Sequence, residues 1–316
     1  MKISGIHHIT AIASDPQKNV DFYSGLLGLR FIKKTVNFDD PYTYHLYYGD
    51  KIGNPGTALT FFPWPSAKRG NKGVGQATCI SFSIPDNSID FWIERLSEHS
   101  IIFEGQLKRF DEDTLIFSDP DGIQLELVST KGANFPNSWG EGTVPSQYAI
   151  GGFYGVTLSV RKNETTNVLL KNVFGFEAGP ISGERSRYQS QENTVGSVVD
   201  VLTLAGAPFG GMSAGNIHHV AFRVRNEEEQ EKWRQKISAI GYHVTPIIDR
   251  NYFKSIYFRE HSGVLFELAT DSPGFTVDES EENLGRELKL PSWYENQRES
   301  IEQNLLPINI PYIHQS

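Results

Sequence analysis

At 316 residues, 38% of them hydrophobic, the chain is long enough to fill two ordinary cores. Its 38 acidic against 29 basic residues leave a formal charge of -9, which disfavours nucleic acid and anionic bilayers as partners, since both need clustered Lys and Arg. The opening MKISGIHHITAIASDP lacks the apolar run of a signal peptide, no later stretch reaches bilayer-spanning length, and the single cysteine, Cys79, forms no intramolecular disulfide, so a cytoplasmic protein without a membrane segment is expected.

Four successive segments share one outline. The first opens on the alternating strand IHHITAIA from Ile6, continues through the helix-periodic NVDFYSGLLG and ends in the strand-rich YTYHLYYGD and TALTFFP. The second repeats the order with TCISFSIP from Thr78, SIDFWIERLSEHS and TLIFSDPDGIQLELVS. The third has FYGVTLSV from Phe153, TTNVLLKNVFG and SVVDVLTLA, and the fourth IHHVAFRV from Ile217, EEQEKWRQKISAIG and SIYFREHSGVLFELAT. The helices of the first, third and fourth close on a glycine suited to a C-cap. An α+β fold of four tandem βαβββ modules is predicted, with an N-terminal domain over residues 1–132, a linker over 133–150, a C-terminal domain over 151–270 and an extension over 271–316.

The repeat aligns Cys79 with His219, Glu126 with Glu267, and His8 with Gly155. Alternation then sorts the two faces of each opening strand. Ile80, Phe82 and Ile84 share one face in the second module, Tyr154, Val156, Leu158 and Val160 in the third, and Val220, Phe222 and Val224 in the fourth; this apolar face should pack on the helices. The opposite face carries His8 with Thr10, Cys79, Gly155 and His219. Glu267 joins it, since Phe266 and Leu268 take the packed face.

Two imidazoles and a carboxylate converging from rigid strands form a 2-His-1-carboxylate set, which suits non-haem Fe(II) and leaves positions open for substrate and O2; Zn, Mn and Ni are also acceptable. Each residue alone reads more simply as a hydrogen-bonded structural group. Together they are harder to dismiss, because a Glu within VLFELA is costly to bury without a partner and a metal supplies one. Glu126 keeps the carboxylate position but faces Cys79 instead of a histidine, and reads as the relic of a repeat that has lost its site. His45, Glu260 and His261 read as solvated loop or strand residues.

With GIHHIT at its start, IHHVAF heading its last module and YFREHSGVLFELA ending it, the chain resembles the vicinal-oxygen-chelate superfamily. It is most similar there to the ring-cleaving dioxygenases that act on hydroquinones, a likeness extending to YHLYYGD, NPGTALTFFP and the tail SPGFTVDESEENLGRELKLP. The resemblance implies two vicinal-oxygen-chelate domains with concave mixed sheets, Fe(II) on His8, His219 and Glu267, and a small aromatic substrate with O2. It implies that His7, Thr10, His218 and Tyr257 surround the substrate, with Tyr257 or a histidine exchanging protons with the bound phenol, and that Arg250 is the nearest match to an arginine of the family. Alternation places His7 and His218 on the packed face, in conflict with that role. Other activities of the scaffold remain open: a catechol extradiol dioxygenase, a glyoxalase-type isomerase, or a non-enzymatic aromatic-binding protein, with homo-oligomerisation undecided. A glyoxalase normally uses two carboxylate ligands, and ALTFFP offers no second one.

Overall fold

The structure is a computed structural model that describes residues 1–65, 67–192 and 195–311. Module one comprises β1 (Ile6–Ala13), a short α1 (Pro16–Val20) that runs on into π-helical turns (Asp21–Leu26), β2 (Arg30–Asn37), β3 (Asp40–Gly49) and β4 (Ala58–Pro63). Asp15 caps α1 by accepting from the amides of Gln17 and Lys18, and Pro16 sits where a missing N–H costs nothing. Module two comprises β5 (Gln76–Pro85), α2 (Ile89–Glu98), β6 (Phe103–Arg109), β7 (Glu112–Ser118) and β8 (Gln124–Thr130). Module three comprises β9 (Gly152–Val160), α3 (Glu164–Asn167) with a π-helical continuation (Val168–Phe174), β10 (Glu177–Ser182), β11 (Arg185–Gln189) and β12 (Val198–Thr203). Module four comprises β13 (Ile217–Val224), α4 (Glu227–Ala239), β14 (Ile248–Asp249), β15 (Phe253–Arg259) and β16 (Leu265–Pro273). Gly28 and Gly175, predicted as helix stops, have φ of 71° and 84°, and a Cβ on Gly28 would meet Val144 at 2.6 Å.

The strands form two curled eight-stranded mixed sheets, as expected for an α+β protein with two vicinal-oxygen-chelate domains. One has the order β14-β15-β16-β13-β1-β4-β3-β2 and the other β10-β11-β12-β9-β5-β8-β7-β6. The first sheet thus joins modules one and four across the antiparallel β1–β13 ladder, and the second joins modules two and three across β5–β9. Each sheet takes one module from either sequence half, so the split at 133–150 does not coincide with the split between sheets. Alternation could not reveal this, because all four opening strands carry the same pattern and any two could pair.

Ile9, Ile80, Phe82, Val156, Val220, Phe222, Phe266 and Leu268 lie in one continuous core with Trp92 of α2, Leu170 of the module-three helix and Trp233 of α4. Tyr154 departs from the predicted face. Opposite Ser81 and Phe82 of β5, strand β9 supplies Gly155 and Phe153 and leaves Tyr154 over as a β-bulge, so Phe153 stacks on Phe82 while Tyr154 turns its hydroxyl to Arg187 at 2.8 Å. The same extra residue recurs in every module: His7 in β1, Thr78 in β5, Tyr154 in β9 and His218 in β13.

The extension folds back over the β2–β3 end of the first sheet. Phe275 packs on Tyr47 at 5.1 Å, and the buried Lys33 ammonium pairs with Glu279 and lies 2.6 Å from Asp278. Helix α5 (Arg298–Asn304) closes a small cluster of Val36, Leu290 and Ile301. Among the described residues no helix is long and apolar enough to cross a membrane.

Candidate metal centre

The ladders of the first sheet bring His8, His219 and Glu267 to one point. Thr10, two residues beyond His8, pairs with His219 on β13, and Ala221, two beyond His219, pairs with Glu267 on β16. Nε2 of His8 lies 3.3 Å from Nε2 of His219 and 3.3 Å from Oε2 of Glu267, and Nε2 of His219 lies 2.8 Å from the same oxygen. Three donor atoms around one ion with bonds of about 2.1 Å would stand about 3 Å apart. The carboxylate is fully buried; Oε1 accepts from the Ser255 hydroxyl, whereas Oε2 has no well-aligned hydrogen-bond partner. Burial opposes its charge, and the two imidazoles, when protonated, together outweigh burial and hold the carboxyl well below the usual range. A buried anionic oxygen without a donor, faced by two imidazole nitrogens, is chemically suited to a divalent cation. This is the one such group of His, Cys, Asp and Glu among the described residues.

The bulges resolve the conflict over His7 and His218. As the extra residues of their strands, both turn towards their neighbours: His7 Nδ1 lies 2.9 Å from His8 Nδ1, and His218 Nδ1 lies 2.8 Å from His219 Nδ1. His7 Nε2–H donates to the Thr270 carbonyl at 3.1 Å, so its Nδ1 is left to accept from His8 Nδ1–H, which presents the lone pair of His8 Nε2 to the centre. Burial, then the neighbouring His8, lowers the His7 pKa well below the usual range. His218 also stays neutral, pushed down to about 3 by burial and by His219. His7 lies behind the centre; His218 lines the cavity in front of it.

That cavity, of about 260 Å³, is walled by Phe38, Phe62, Trp64, Phe253 and Leu265 and carries Thr10, His45, Tyr47, Arg250 and Tyr257 as polar groups. Tyr257 pairs with Glu267 across β15–β16, and its ring meets His219 edge-on at 5.8 Å. Burial, then the Glu267 charge, raises its phenol well above the usual range, which the nearby Arg250 only partly offsets. Arg250, just beyond β14, donates through Nε to the Tyr257 hydroxyl at 3.2 Å and pairs with Asp39 at 3.2 Å.

Two expectations need correction, those for His45 and Glu260. His45 is not a solvated strand residue but part of the cavity wall, with its Nε2 2.9 Å from Thr60 Oγ1 and its Nδ1 2.8 Å from the Tyr47 hydroxyl. Alternation within YTYHLYYGD could have found it, since Leu46 and Tyr48 are in the core and His45 and Tyr47 take the other face. Glu260 is buried, and its carboxylate accepts from the Val264 amide across a tight turn and from the Thr166 hydroxyl of α3. His261 is exposed, as expected, but stacks on Tyr242 at 4.4 Å.

The second sheet has no comparable centre among the described residues. Glu126 there accepts from Ser81 at 2.6 Å and pairs with Arg109, and burial pushes the Cys79 thiol well up. Thr60, Glu126, Asp200 and Glu267 occupy the same place in their modules, each opposite the residue two beyond His8, Cys79, Gly155 and His219. A second carboxylate ligand would have to come from the position of Thr60, which has none.

Comparison with known proteins gives the same architecture. The "Putative ring-cleaving dioxygenase MhqO" of Bacillus subtilis (strain 168) is 46% identical over 309 residues, covering 98% of either chain. The "Chlorohydroquinone/hydroquinone 1,2-dioxygenase" of Sphingobium indicum is 32% identical over 308 residues, 95% of each. The crystal structure of a "putative dioxygenase" from Bacillus subtilis superposes with a TM-score of 0.94 at 46% identity, over 98% of both chains. Glyoxalase I from Zea mays shares the fold at a TM-score of 0.63 and 13% identity, over 85% of this chain and 92% of that one. The family model matches residues 5–127 and 170–268, which include both histidine doublets and Glu267, and the chain therefore belongs to the Glyoxalase/Bleomycin resistance protein/Dioxygenase superfamily.

Proposed function

We propose that the chain is an Fe(II)-dependent ring-cleaving dioxygenase of the extradiol type that acts on hydroquinones, in a detoxifying or catabolic role in the cytoplasm, with His8, His219 and Glu267 as the iron ligands. The observation that carries the proposal is the buried, donorless Oε2 of Glu267 facing two imidazole nitrogens at the floor of an aromatic cavity. Iron held there would supply the activation of O2. A cavity of about 150 Å³ admits benzene, so about 260 Å³ suits one substituted ring. Tyr257, protonated at neutral pH and fixed by Arg250, is placed to donate to a phenol oxygen near the ligands, and His218, whose Nδ1 is taken by His219, keeps Nε2 for the substrate. The name of the Bacillus subtilis relative supports ring cleavage, and that of the Sphingobium indicum relative supports hydroquinones as the substrate class. Thr60 in place of a carboxylate weighs against an isomerase of the glyoxalase kind.

Anaerobic loading with Fe(II), followed by O2 uptake with a panel of hydroquinones and catechols, tests the reading. One O2 consumed per hydroquinone, with both atoms of labelled O2 in a ring-opened product, is expected. Stoichiometric iron with uptake only on catechols would move the assignment to a catechol dioxygenase, and failure to retain any metal would favour a binding protein.

A further inference from the structure

Four polar side chains form an unbroken line on the sheet face behind the cavity, and Thr10, His45 and Tyr47 among them line it. Tyr47 and His45 on β3, Thr60 on β4 and Thr10 on β1 share the cavity face of the first sheet, with Thr60 opposite both Tyr47 and Thr10. The Tyr47 hydroxyl lies 2.8 Å from His45 Nδ1, His45 Nε2 2.9 Å from Thr60 Oγ1, and Thr60 Oγ1 2.8 Å from Thr10 Oγ1. Thr10, Thr60 and Tyr47 are buried.

The line has a direction, and one proton decides it. A buried phenol must place its single O–H on an acceptor, and His45 Nδ1 is the partner the structure provides for Tyr47. Burial keeps the phenol protonated and the imidazole neutral. With Nδ1 accepting, the proton of a neutral His45 sits on Nε2 and is donated to Thr60. Thr60 has then accepted from His45 and gives its own proton to Thr10. Thr10, on the same face as His8 and two residues beyond it, is left with a hydroxyl proton that no group among the described residues takes, and it lines the cavity.

We propose that Tyr47, His45 and Thr60 are positioning residues that fix Thr10 as a hydrogen-bond donor into the cavity, so that the site selects a ligand presenting an acceptor oxygen, a phenolate in preference to a neutral phenol. The proposal rests on the reading of the cavity as a phenol site. It extends that reading to the ionisation state of the ligand and to three residues that act only through Thr10. Reversing the line would leave the Tyr47 proton without its acceptor and turn Thr10 into an acceptor, which would favour the neutral phenol.

Two measurements test it without turnover. In protein labelled with 15N-histidine, the His45 signals, assigned by their absence in His45→Gln, should show a single Nε2–H tautomer, and Tyr47→Phe should convert them to a mixture of tautomers. In the anaerobic Fe(II)-loaded protein, 4-nitrophenol should bind as its phenolate, followed by absorbance across the pH range of its ionisation. Thr10→Val should weaken that binding about tenfold to a hundredfold with iron content unchanged, the loss expected for one hydrogen bond to a charged group. Tyr47→Phe and Thr60→Val should each weaken it severalfold, Thr60→Ser should restore it, and Tyr47→Phe should have no further effect in a Thr10→Val background. A His45 proton on Nδ1, additive losses in the double variant, or no binding of the phenolate by the wild type would each overturn the proposal. Failure of the wild type to consume O2 with hydroquinones, with these two results intact, would overturn the proposed function alone.

Discussion

At the scale of the residue, the centre is a matter of one orphaned oxygen. Oε2 of Glu267 is buried without an aligned donor and lies within 3.3 Å of two imidazole nitrogens. His8→Ala, His219→Ala and Glu267→Gln are each expected to abolish iron retention and turnover while the far-ultraviolet circular dichroism stays that of the wild type; stoichiometric iron in any of them would refute the ligand set. Tyr257→Phe separates chemistry from packing. Its hydroxyl meets Arg250 at 3.2 Å and stays protonated, so its loss should lower turnover about tenfold to ten-thousandfold with iron content unchanged. A purely packed ring would give almost no kinetic change. These residues were legible because strand alternation and the repeated doublet both select His8, His219 and Glu267. His45 and Tyr47 obey the same alternation, but only the fold shows that β3 lies beside β4 in the wall of the same cavity.

At the scale of the element, the bulge explains the doublet. Simple alternation sends His7 to the core, yet the extra residue in β1 turns it to accept from His8. No pattern in one strand announces this; the hint is that a residue with a hydrogen-bonding group, His7, Thr78, Tyr154 or His218, stands just before the cavity position in every module. His7→Leu removes the acceptor that orients His8 and is expected to weaken metal affinity about tenfold to a hundredfold with little change in fold, measured by competition with a chelator. A second element-scale consequence lies in the β7–β8 turn, DPDG. Asp119 is buried there, accepts from the Tyr23 hydroxyl and the Ile123 amide, and is pushed up to about 7 by burial. Its folded-state pKa lies above the unfolded value, so the folded state holds a proton that the unfolded chain releases. Stability therefore declines as pH rises from about 4 to about 7, by about 4 kcal/mol, and levels off above. Asp119→Asn should flatten this decline in urea unfolding between pH 5 and pH 8, and an unchanged slope would assign the effect elsewhere.

At the scale of the whole molecule, two sheets of one design have met the same electrostatic problem with different partners. The first sheet sets Glu267 against two imidazoles, which a cation can bridge. In the second sheet the equivalent places hold Glu126 and Asp200, with Cys79 and Gly155 where the histidines would be, and arginines supply the positive charge. Arg109 pairs with Glu126, while Arg187 reaches Asp200 at 2.8 Å and Glu112 at 2.7 Å. A guanidinium is permanently charged and forms several fixed hydrogen bonds, so it can neutralise a buried carboxylate with no metal and no open position for a substrate. The repeat made Glu126 and Cys79 visible as a departure from the set, but Arg109 and Arg187 lie on β6 and β11, whose sequences show no sign of facing Glu126 or Asp200. Glu126→Gln should therefore behave unlike Glu267→Gln. It leaves Arg109, still partly exposed to water, without its counter-charge, so a stability loss of about 1–3 kcal/mol is expected in urea unfolding. Iron content and hydroquinone turnover at a temperature where the variant is fully folded should match the wild type. Loss of iron as complete as in Glu267→Gln would place a metal in the second sheet, and an unaltered unfolding midpoint would mean that the arginine is not what holds this sheet's carboxylate.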